Sequence, residues 1–535
     1  MKSIKKFLAV ILSMTLMLTL GTATFGAQKT LPSGKDTGSI NVTNLKPGDT
    51  VTAYQFVKAD YNEYGFTGYS AINNYVKDPV APTAQEVIDM ASNAATMTVA
   101  AEKKVATGDT EVTLNGLPVG YYLVMVTSGS ETVYSPMIAG IYYSKSATDN
   151  TLTNGAISAD SDFEIKAQKC WAKSSTPKLE KTIVTPSSKN SKGDDIAIGD
   201  KITFNLSATV PSYSKEYKKV TYKIYDIMSE GLDYVDGSMK CFIEKYENNR
   251  ENIKVTPKVN GGIIEITFDS KFILEHPGQK IQVEYQAKLN EKAGVNFDAN
   301  INKAYLEYSN NPASGSTAKT GEDKVYVYTF GIDSNLFGKS TEKWNGKTKE
   351  LIKVEEGEYQ WVETEKESRI FTTTTALEGA TFTLTNNKTK KSYTATSDKY
   401  GYLKFTGLDA GEYTLQETDA PDGFTLNDAK HTVVITAEYN QDGTLKSYTI
   451  KIDDKATSTY TATYDKGVIK TITSTKDSQG NISESAILKN SKMSFLPSTG
   501  GVGTTIFAIV GVVFVAVALG LHMILRGKSK LEQDR

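Results

Sequence analysis

Apolar and polar residues alternate with a period of two through much of the chain. In residues 201–210, 262–268 and 280–289, apolar side chains occupy every second position. Because successive side chains of a strand point to opposite faces of a sheet, this pattern predicts half-buried antiparallel strands. Clusters of Gly, Asn, Asp and Lys separate the runs, as turns require. We therefore expect an all-β chain of β-sandwich domains.

One stretch departs from this alternation. Within residues 83–101, Thr83 stands in the position of a helix N-cap, and apolar residues recur after it at helical spacing: Val87, Ile88, Met90 and Ala91. The pattern predicts one helix in this stretch.

Both ends of the chain carry apolar segments. Residues 1–27 place lysines before an apolar run and small residues, which is the pattern of a secretory signal peptide. Residues 506–525 form an apolar run long enough to cross a bilayer as a transmembrane helix. The basic tail at 526–535 would then remain cytoplasmic. The exported region between these segments has room for three or four domains.

Charge and cysteine content exclude some classes of protein. The formal net charge of −2 argues against nucleic acid as a partner, because nucleic-acid binding requires a basic surface. The 2 cysteines, Cys170 and Cys241, lie far apart in sequence and do not indicate a disulfide scaffold. We expect two unpaired thiols, with one structural disulfide as the alternative that an exported chain would permit.

The common motifs of enzymes and cofactor sites are not found in the sequence. It contains no HExxH, no Cys/His metal spacing, no GxSxG and no Gly-rich phosphate loop. We therefore expect a chain that is not an enzyme and that uses no cofactor and no metal.

Two segments with turn-forming composition divide the exported region. Residues 174–178 precede a new strand, and residues 310–317 are rich in Asn, Ser, Pro and Gly. Both are typical of linkers. We therefore expect domains at residues 28–173, 174–326 and 327–493.

An internal repeat relates the first and third of these domains. In residues 116–127 and 407–418, a Gly-Leu turn leads into a strand with Gly, Tyr and Thr at matching positions. The informative mismatch is Val126 in the first copy against Glu417 in the second. One fold unit thus occurs twice, and only one copy carries a carboxylate on that strand.

A pentapeptide stands just before the C-terminal apolar run: Leu496, Pro497, Ser498, Thr499 and Gly500. With the apolar run and the basic tail, it resembles the cell-wall sorting signal of Gram-positive surface proteins. The resemblance implies that a sortase cuts between Thr499 and Gly500 and transfers the Thr499 carbonyl group to an amine. An ordinary single-pass anchor is the alternative.

Residues 413–418 resemble the YxLxET element of Cna-B-type immunoglobulin-like domains, which occur in surface pilins and collagen-binding adhesins. By alternation, Tyr413, Leu415 and Glu417 share one strand face, so Glu417 is buried if that face is the core. The resemblance implies a Lys–Asn isopeptide crosslink within the domain, with Glu417 polarising the amide.

The same resemblance places the crosslinked residues at the two ends of the third domain. Its lysine is expected in the first strand, as Lys339 or alternatively Lys343. Its asparagine is expected in the last strand, as Asn490. The first domain should lack a crosslink, because Val126 replaces the acid.

Three further segments resemble the Cna-A-like middle domain of backbone pilins. They are the first strand at 179–184, the segment 222–232 with its Met-x-x-Gly-Leu turn, and the last strand at 302–312. The resemblance implies a second crosslink, with Lys181 as nucleophile and Asn302 as the amide attacked. Asp226 would be the acid that shuttles protons.

Backbone pilins also carry an acceptor lysine near the end of the first domain, in a Val-Tyr-Pro-Lys type of motif. This chain has no Tyr-Pro-Lys there. Lys166, Lys169 and Lys173 are the candidates, and Lys169 has the most suitable spacing to Pro177 and Lys181.

From signal peptide to basic tail, the chain resembles a sortase-assembled backbone (major) pilin with three tandem immunoglobulin-like domains of Cna type. The resemblance implies a secreted, wall-anchored structural protein that polymerises through Thr499 of one subunit and Lys169 of the next. Its partners would be sortase, identical subunits, accessory pilins, peptidoglycan and a host surface ligand. An accessory or basal pilin, or a singly anchored adhesin, is the first alternative, and a wall-anchored enzyme is the second.

Overall fold

The computed structural model describes residues 31–332 except 130, 146–152, 154, 159–161, 185 and 247–248, and residues 377–475 except 399–402 and 454. It also describes the backbone of four strands at 338–339, 348–355, 358–364 and 487–488. The predicted signal peptide, sorting pentapeptide, C-terminal apolar segment and basic tail lie outside the described residues. In the part that is described, no helix has the length and apolar character needed to cross a membrane.

The chain divides into two compact units. The first is drawn from residues 1–331, 406–410 and 437–447, and the second from 332–405, 411–436 and 448–535. The domain boundary expected after residue 173 lies inside the first unit, and the three expected domains stay a prediction.

Strands dominate the N-terminal part, which has the following bounds: β1 Thr37–Thr43, β2 Thr50–Asn62, β3 Gly65–Ala71, α1 Ala84–Ser92, a 3-10 turn at Ala94–Thr96, β4 Val99–Lys104, β5 Glu111–Pro118, β6 Gly120–Thr127, β7 Val133–Tyr134, β8 Met137–Ser144, β9 Glu164–Ala167, β10 Lys169–Trp171 and β11 Ser174–Ser175. A three-stranded sheet with the order β10-β1-β5 faces a larger sheet with the order β3-β2-β6-β8-β9, in which β4 also pairs with β2. Apolar side chains from both sheets form one core.

Strand β6 is buried on both faces. Tyr122 and Val124 point into the core between the sheets, whereas Tyr121 and Leu123 pack under helix α1. This explains why its sequence is a continuous apolar run instead of an alternating one.

The predicted helix is confirmed, but it is shorter than the stretch that suggested it. Thr83 caps α1 through a capping box with Glu86. The helix ends at Ser92, and Val99 already begins strand β4. Asn93 terminates it because asparagine readily leaves the helical conformation, and the β-branched residues that follow favour a strand.

The middle part forms a second sandwich with these elements: β12 Leu179–Ile183, β13 Gly193–Asp195, β14 Lys201–Thr209, β15 Tyr222–Met228, β16 Leu232–Tyr234, β17 Lys240–Tyr246, β18 Asn249–Ile253, β19 Lys258–Asn260, β20 Ile263–Thr267, α2 Ser270–Glu275, β21 Lys280–Leu289, β22 Asn300–Asn311, β23 Ser316–Lys319, β24 Asp323–Tyr328 and β25 Phe330–Ile332. One sheet has the order β12-β14-β21-β17-β18, and the other has the order β13-β24-β22-β15-β20-β19. Strands β14, β20 and β21 match the three alternating runs of the sequence, and their inward side chains fill the core.

The two expected linkers are not free connecting segments. Ser174–Ser175 pairs with Val133–Tyr134. Residues 310–317 contain the turn between β22 and β23, which pair with each other, and the Asn311 side chain accepts a hydrogen bond from the Ala313 N–H within that turn. The prediction of a break at 310–317 is wrong because Asn, Pro, Gly and Ser suit a tight hairpin as well as a linker. The boundary expected after residue 326 falls within β24.

The C-terminal part contains the remaining strands: β26 Gly338–Lys339, β27 Thr348–Glu355, β28 Glu358–Thr364, β29 Thr381–Asn386, β30 Ser392–Thr396, β31 Phe405–Leu408, β32 Gly411–Asp419, β33 Lys430–Tyr439, β34 Leu445–Ile452, β35 Lys455–Asp465, β36 Val468–Thr475 and β37 Ile487–Leu488. Seven of them form a sheet with the order β30-β29-β32-β33-β34-β35-β36. The all-β prediction is thus confirmed for the described residues.

The internal repeat corresponds to one backbone motif. Gly116 and Gly407 both adopt left-handed conformations, with φ of 70° and 77°. The matching tyrosines, Tyr122 and Tyr413, are both fully buried. The two copies therefore share the turn and the buried ring that follows it.

Both cysteines are free and buried in separate cores. Burial raises the pKa of each thiol to about 12, because the apolar surroundings disfavour the thiolate. The expectation of two unpaired thiols is confirmed.

Gly116 offers a test of the repeated turn. A Cβ atom added at Gly116 or at Gly34 would meet no atom within 4 Å, but only Gly116 has a left-handed φ. We predict that Gly116→Ala lowers the free energy of unfolding by about 1–2 kcal/mol, because an L residue is strained there. Gly34→Ala should change it little. Urea unfolding of both variants measures the difference, and equal effects would contradict the assigned turn.

Candidate functional site

Lys181 lies in the core of the middle sandwich. Within β12, Leu179, Lys181 and Ile183 face inward, whereas Glu180 is exposed. The Lys181 side chain is completely buried. Because an ammonium group loses its hydration on burial, a lysine in such a position requires a partner.

Asp226 and Asn302 come from neighbouring strands of the opposite sheet. Strands β15 and β22 are antiparallel, with Met228 opposite Asn302 and Asp226 opposite Ala304. Both Asp226 and Asn302 point inward and are completely buried. Lys181 therefore reaches across the sandwich, and the three residues singled out in the sequence lie in one cluster.

The ammonium group of Lys181 donates two hydrogen bonds. One goes to Asp226 Oδ2, and the other goes to the Tyr285 hydroxyl at 3.1 Å. The backbone of Lys181 is fixed as well. Its N–H donates to Asp323 Oδ2 at 2.7 Å, and its carbonyl accepts from Lys192 Nζ at 2.6 Å. Lys192 and Asp323 also form an ion pair with each other at 2.7 Å. These two partly exposed side chains therefore fix the backbone of β12 at Lys181.

Tyr285 is a fourth member of the cluster, which the sequence analysis did not identify. Its hydroxyl accepts hydrogen bonds from Lys181 Nζ and, at 2.7 Å, from Asn302 Nδ2, and it donates to Asp226 Oδ1 at 2.7 Å. One donor and two acceptor sites are thus all used. A signal was present, because alternation in residues 280–289 puts Tyr285 on the apolar face, where a phenol needs a buried partner.

The surroundings of the cluster favour a neutral amine. Burial lowers the pKa of Lys181, since removal from water disfavours the charged form, and the neighbouring Asp226 carboxylate opposes this shift. The ring centroids of Phe204 and Tyr285 lie 5.0 Å and 5.3 Å from Lys181 Nζ. Burial also raises the pKa of Tyr285 well above its usual value, so this hydroxyl remains protonated and can donate.

Asn302 has one unsatisfied atom. Its Oδ1 is buried and has no hydrogen-bond partner among the described residues. Such an orphaned acceptor is rare in folded proteins and costs about 1–3 kcal/mol. Negative charge would develop on this oxygen if a nucleophile attacked the side-chain amide.

The cluster therefore contains the groups needed for amide transfer: an amine whose charge is disfavoured, a carboxyl group in contact with it, and an amide held by a shared hydroxyl. It does not resemble a metal site. Nowhere in the described ranges do three or more His, Cys, Asp and Glu side chains converge in a way that could hold a metal ion.

Glu417 is buried in the C-terminal part, as the alternation in β32 predicted. Tyr413, Leu415 and Glu417 face inward, and Glu417 is only 1% exposed. Its Oε2 accepts a hydrogen bond from the Asn427 N–H at 2.7 Å. The equivalent Val126 of the repeat is also buried, so the two copies differ in chemistry at a shared inward position.

The expected partners of Glu417 are only partly described. Strands β26 and β37 pair in parallel, which places Lys339 beside Leu488, two residues before Asn490. Asn490 and the alternative lysine Lys343 lie outside the described residues. The structure thus brings together the backbones of the first and last strands, as expected, but not the three side chains.

The three candidate acceptor lysines differ in exposure. Lys166 is buried and forms an ion pair with Glu164 at 3.1 Å. Lys169 and Lys173 are exposed on and after the edge strand β10. Only these two present a side chain to solvent.

Three family models match this chain. They are the T6 antigen Ig-like domain at residues 35–174, the prealbumin-like fold domain called SpaA at residues 370–451, and the LPXTG cell wall anchor motif at residues 489–530. The last match contains the predicted sorting pentapeptide.

A relative matches along almost the whole chain. The trypsin-resistant surface T6 protein of Streptococcus pyogenes serotype M6 is 26% identical over 549 residues, which cover 93% of this chain and 96% of the relative.

The fold is also similar to solved pilin structures. The T6 backbone pilin of serotype M6 Streptococcus pyogenes, which has a modular three-domain structure, matches with a TM-score of 0.58 and 21% identity over 86% of this chain and 100% of the other. The full-length major pilin SpaD of Corynebacterium diphtheriae gives a TM-score of 0.45 and 17% identity over 75% of this chain and 91% of the other.

The anchor motif, the two domain matches and the full-length relative agree with the sandwich fold and the sorting signal. The names of these relatives describe a surface protein and pilins. The chain thus carries the cell wall anchor motif of Gram-positive surface proteins, is similar along almost its whole length to one such protein, and has a fold similar to that of the T6 backbone pilin.

Proposed function

We propose that this chain is the backbone subunit of a covalent surface pilus. Its subunits are joined head to tail by an amide bond between Thr499 of one subunit and Lys169 of the next, and Lys–Asn isopeptide bonds stabilise each subunit internally. The observation that carries the internal bonds is the buried cluster around Lys181. The proposal includes three domains, of which the second and third are crosslinked.

In the middle domain, the neutral Nζ of Lys181 attacks Cγ of Asn302. A new C–N bond forms, the bond from Cγ to Nδ2 breaks, and Nδ2 leaves as ammonia. Asp226 takes the proton that the amine loses and returns a proton to the leaving nitrogen. Amine and amide become a new amide and ammonia, so neither an oxidant nor a cofactor is required.

The contacts support these roles. Burial lowers the pKa of Lys181 and so favours the neutral, nucleophilic amine, and the hydrogen bond to Asp226 gives the departing proton an acceptor. The orphaned Oδ1 of Asn302 has no donor among the described residues, and a donor that reached it would stabilise the charge that develops there on attack at Cγ. Tyr285 is a positioning residue, since its hydroxyl contacts the other three side chains.

The bond would stabilise the domain chiefly by restricting its unfolded state. It closes a loop from residue 181 to residue 302 and joins the two sheets. By the entropy model for crosslinks, a loop of this length contributes roughly 5 kcal/mol. Both cysteines of this secreted protein are free, so this crosslink would provide the covalent stabilisation that a disulfide provides in other secreted proteins.

In the third domain, we assign the corresponding roles to Lys339, Asn490 and Glu417. The burial of Glu417 and the parallel pairing of β26 with β37 support this assignment. The first domain is left without a bond because Val126 occupies the position of the acid.

Assembly requires an exposed amine. A cysteine transpeptidase first holds the Thr499 carbonyl as a thioester. The free amine of Lys169 attacks this carbonyl, so that the amide forms and the enzyme's thiolate leaves. The proton lost by the amine passes to the enzyme. The exposure of Lys169 and the burial of Lys166 with Glu164 support this choice. The last subunit would join an amine of the peptidoglycan. Accessory pilins and a host surface ligand complete the proposed partners.

Intact mass tests the internal bonds. The exported region 28–495 should weigh less than its sequence by one ammonia molecule for each bond, two in all. Asp226→Ala and Glu417→Ala should each restore one ammonia, because each removes the acid of one reaction. Asp233→Ala, an exposed acid on β16, is the control and should leave the mass unchanged. A wild-type mass equal to the full sequence would rule out the crosslinks.

Tyr285→Phe tests the positioning role. It keeps the ring but removes the hydroxyl that Asn302 Nδ2 donates to, so loss of ammonia should slow by at least roughly tenfold, the effect of about 1.4 kcal/mol on a barrier. Mass spectrometry at successive times after synthesis follows the reaction. Tyr213→Phe removes another buried hydroxyl of the same core, one bonded to the Ser309 carbonyl, and should react at the wild-type rate. Equal rates for both variants would exclude Tyr285 from the reaction.

A blot of digested cell walls tests the joint between subunits. Wall extracts boiled in detergent should give a ladder of high-mass bands, because amide-linked subunits survive boiling. Lys169→Ala should abolish the ladder, and Lys173→Ala should keep it. A ladder lost only in Lys173→Ala would move the acceptor to that residue. A single monomer band in the wild type would instead indicate an adhesin anchored one molecule at a time.

A further inference from the structure

A large aromatic side chain is exposed beside the proposed acceptor. In strand β10, Lys169 and Trp171 point outward while Cys170 between them points into the core. Trp171 is 68% exposed, more than any other tryptophan or phenylalanine of the described residues for which exposure is known. Because alternate residues of a strand share a face, the indole ring lies on the same side as the Lys169 amine, with the two Cα atoms about 7 Å apart.

The strand that carries them is firmly held. The Ala172 N–H donates to the Thr43 carbonyl at 2.9 Å, Thr43 Oγ1 donates to the Cys170 carbonyl at 3.2 Å, and Asn44 Nδ2 donates to the Ala172 carbonyl at 2.7 Å. β10 pairs only with β1 in its sheet, so it forms the sheet edge. Lys169 and Trp171 thus stand on a fixed edge strand, not on a loop that could fold over the ring.

The C-terminal segment of the neighbouring subunit, which the proposed joint connects to Lys169, is largely apolar. Residues 493–499 read Met-Ser-Phe-Leu-Pro-Ser-Thr, and Thr499 is the residue joined to the amine in the proposed joint. The Cα atoms of Lys169 and Trp171 are about 7 Å apart, and three residues of extended chain span about 10 Å. Pro497 and Leu496 of a chain joined to Lys169 therefore come within reach of the indole ring. Proline-containing extended segments bind to exposed aromatic side chains in many recognition domains.

We propose that Trp171 and the outer face of β10 form a docking surface for residues 495–498 of the neighbouring subunit, with Phe495, Leu496 and Pro497 covering the indole ring. This inference rests on the proposed joint between Thr499 and Lys169. The sortase binds the pentapeptide until the amide has formed. The contact between Trp171 and residues 495–498 therefore forms only after the sortase has released the segment. It orders the joint and is not required for its formation.

Shielding of Trp171 from a quencher tests the docking surface. The chain has 3 tryptophans, and Trp344→Phe with Trp361→Phe leaves Trp171 as the only one. Acrylamide quenching is compared between the polymer released from walls and the monomer obtained with Lys169→Ala. We expect a blue-shifted emission and loss of most of the quenching in the polymer. Phe495→Ala should restore part of the quenching.

A matched control reports on an exposed position elsewhere in the same part of the chain. Tyr64 is 69% exposed, so Tyr64→Trp together with Trp171→Phe, Trp344→Phe and Trp361→Phe places the only indole away from the joint. Its quenching should be equal in monomer and polymer. Shielding at both positions would reflect general packing and would overturn the specific contact.

The remaining outcomes separate this inference from the proposed function. The absence of any ladder would contradict the covalent joint itself. A ladder linked through Lys169 in which Trp171 stays as accessible as in the monomer would overturn only the docking surface. A slower ladder in Trp171→Ala without shielding in the finished polymer would also overturn it, and would indicate that the ring contacts the sortase instead.

Discussion

The constraint on which the middle sandwich depends is a lysine side chain that is completely buried and has no access to solvent. Lys181 has no exposed surface, so its ammonium group depends on Asp226 and Tyr285 for hydrogen bonds. Removing one partner of a buried ion pair usually costs about 3–5 kcal/mol, because the other charge stays behind. The proposed conversion of the amine into an amide with Asn302 would remove the charge altogether. The cluster would then become less costly on reaction.

Much of this cluster follows from the sequence, because a period of two decides which side of a strand each residue faces. The alternation in β12, β15 and β22 already turns Lys181, Asp226 and Asn302 inward. Alternation does not decide which inward residues of opposite sheets meet. Lys181 and Tyr285 are separated by about a hundred residues in the chain, and only the stacking of the two sheets brings them into contact. Alternation therefore marks Tyr285 as inward-facing, but it does not show which three groups its hydroxyl contacts.

Local composition was a weaker guide than periodicity. The residues at 310–317 suit a linker and a hairpin equally, and only the pairing of β22 with β23 distinguishes the two. The helix after Thr83 was predictable from its cap and its spacing, whereas its end depends on Asn93 and on the competing strand β4. Composition sets which conformations are available to such segments, and long-range pairing selects one of them.

The repeated turn shows how one fold unit can serve two purposes. Gly116 and Gly407 keep the same backbone conformation, and the buried tyrosines after them match, yet valine replaces glutamate at the inward position. If subunits are joined at Lys169, tension along the fibre enters each subunit at β10 and leaves through Thr499. The strands from β1 to β9 would then precede the point of entry and carry little of the load. A part of the chain under little tension would have less need of a covalent crosslink, and a valine at position 126 is compatible with that.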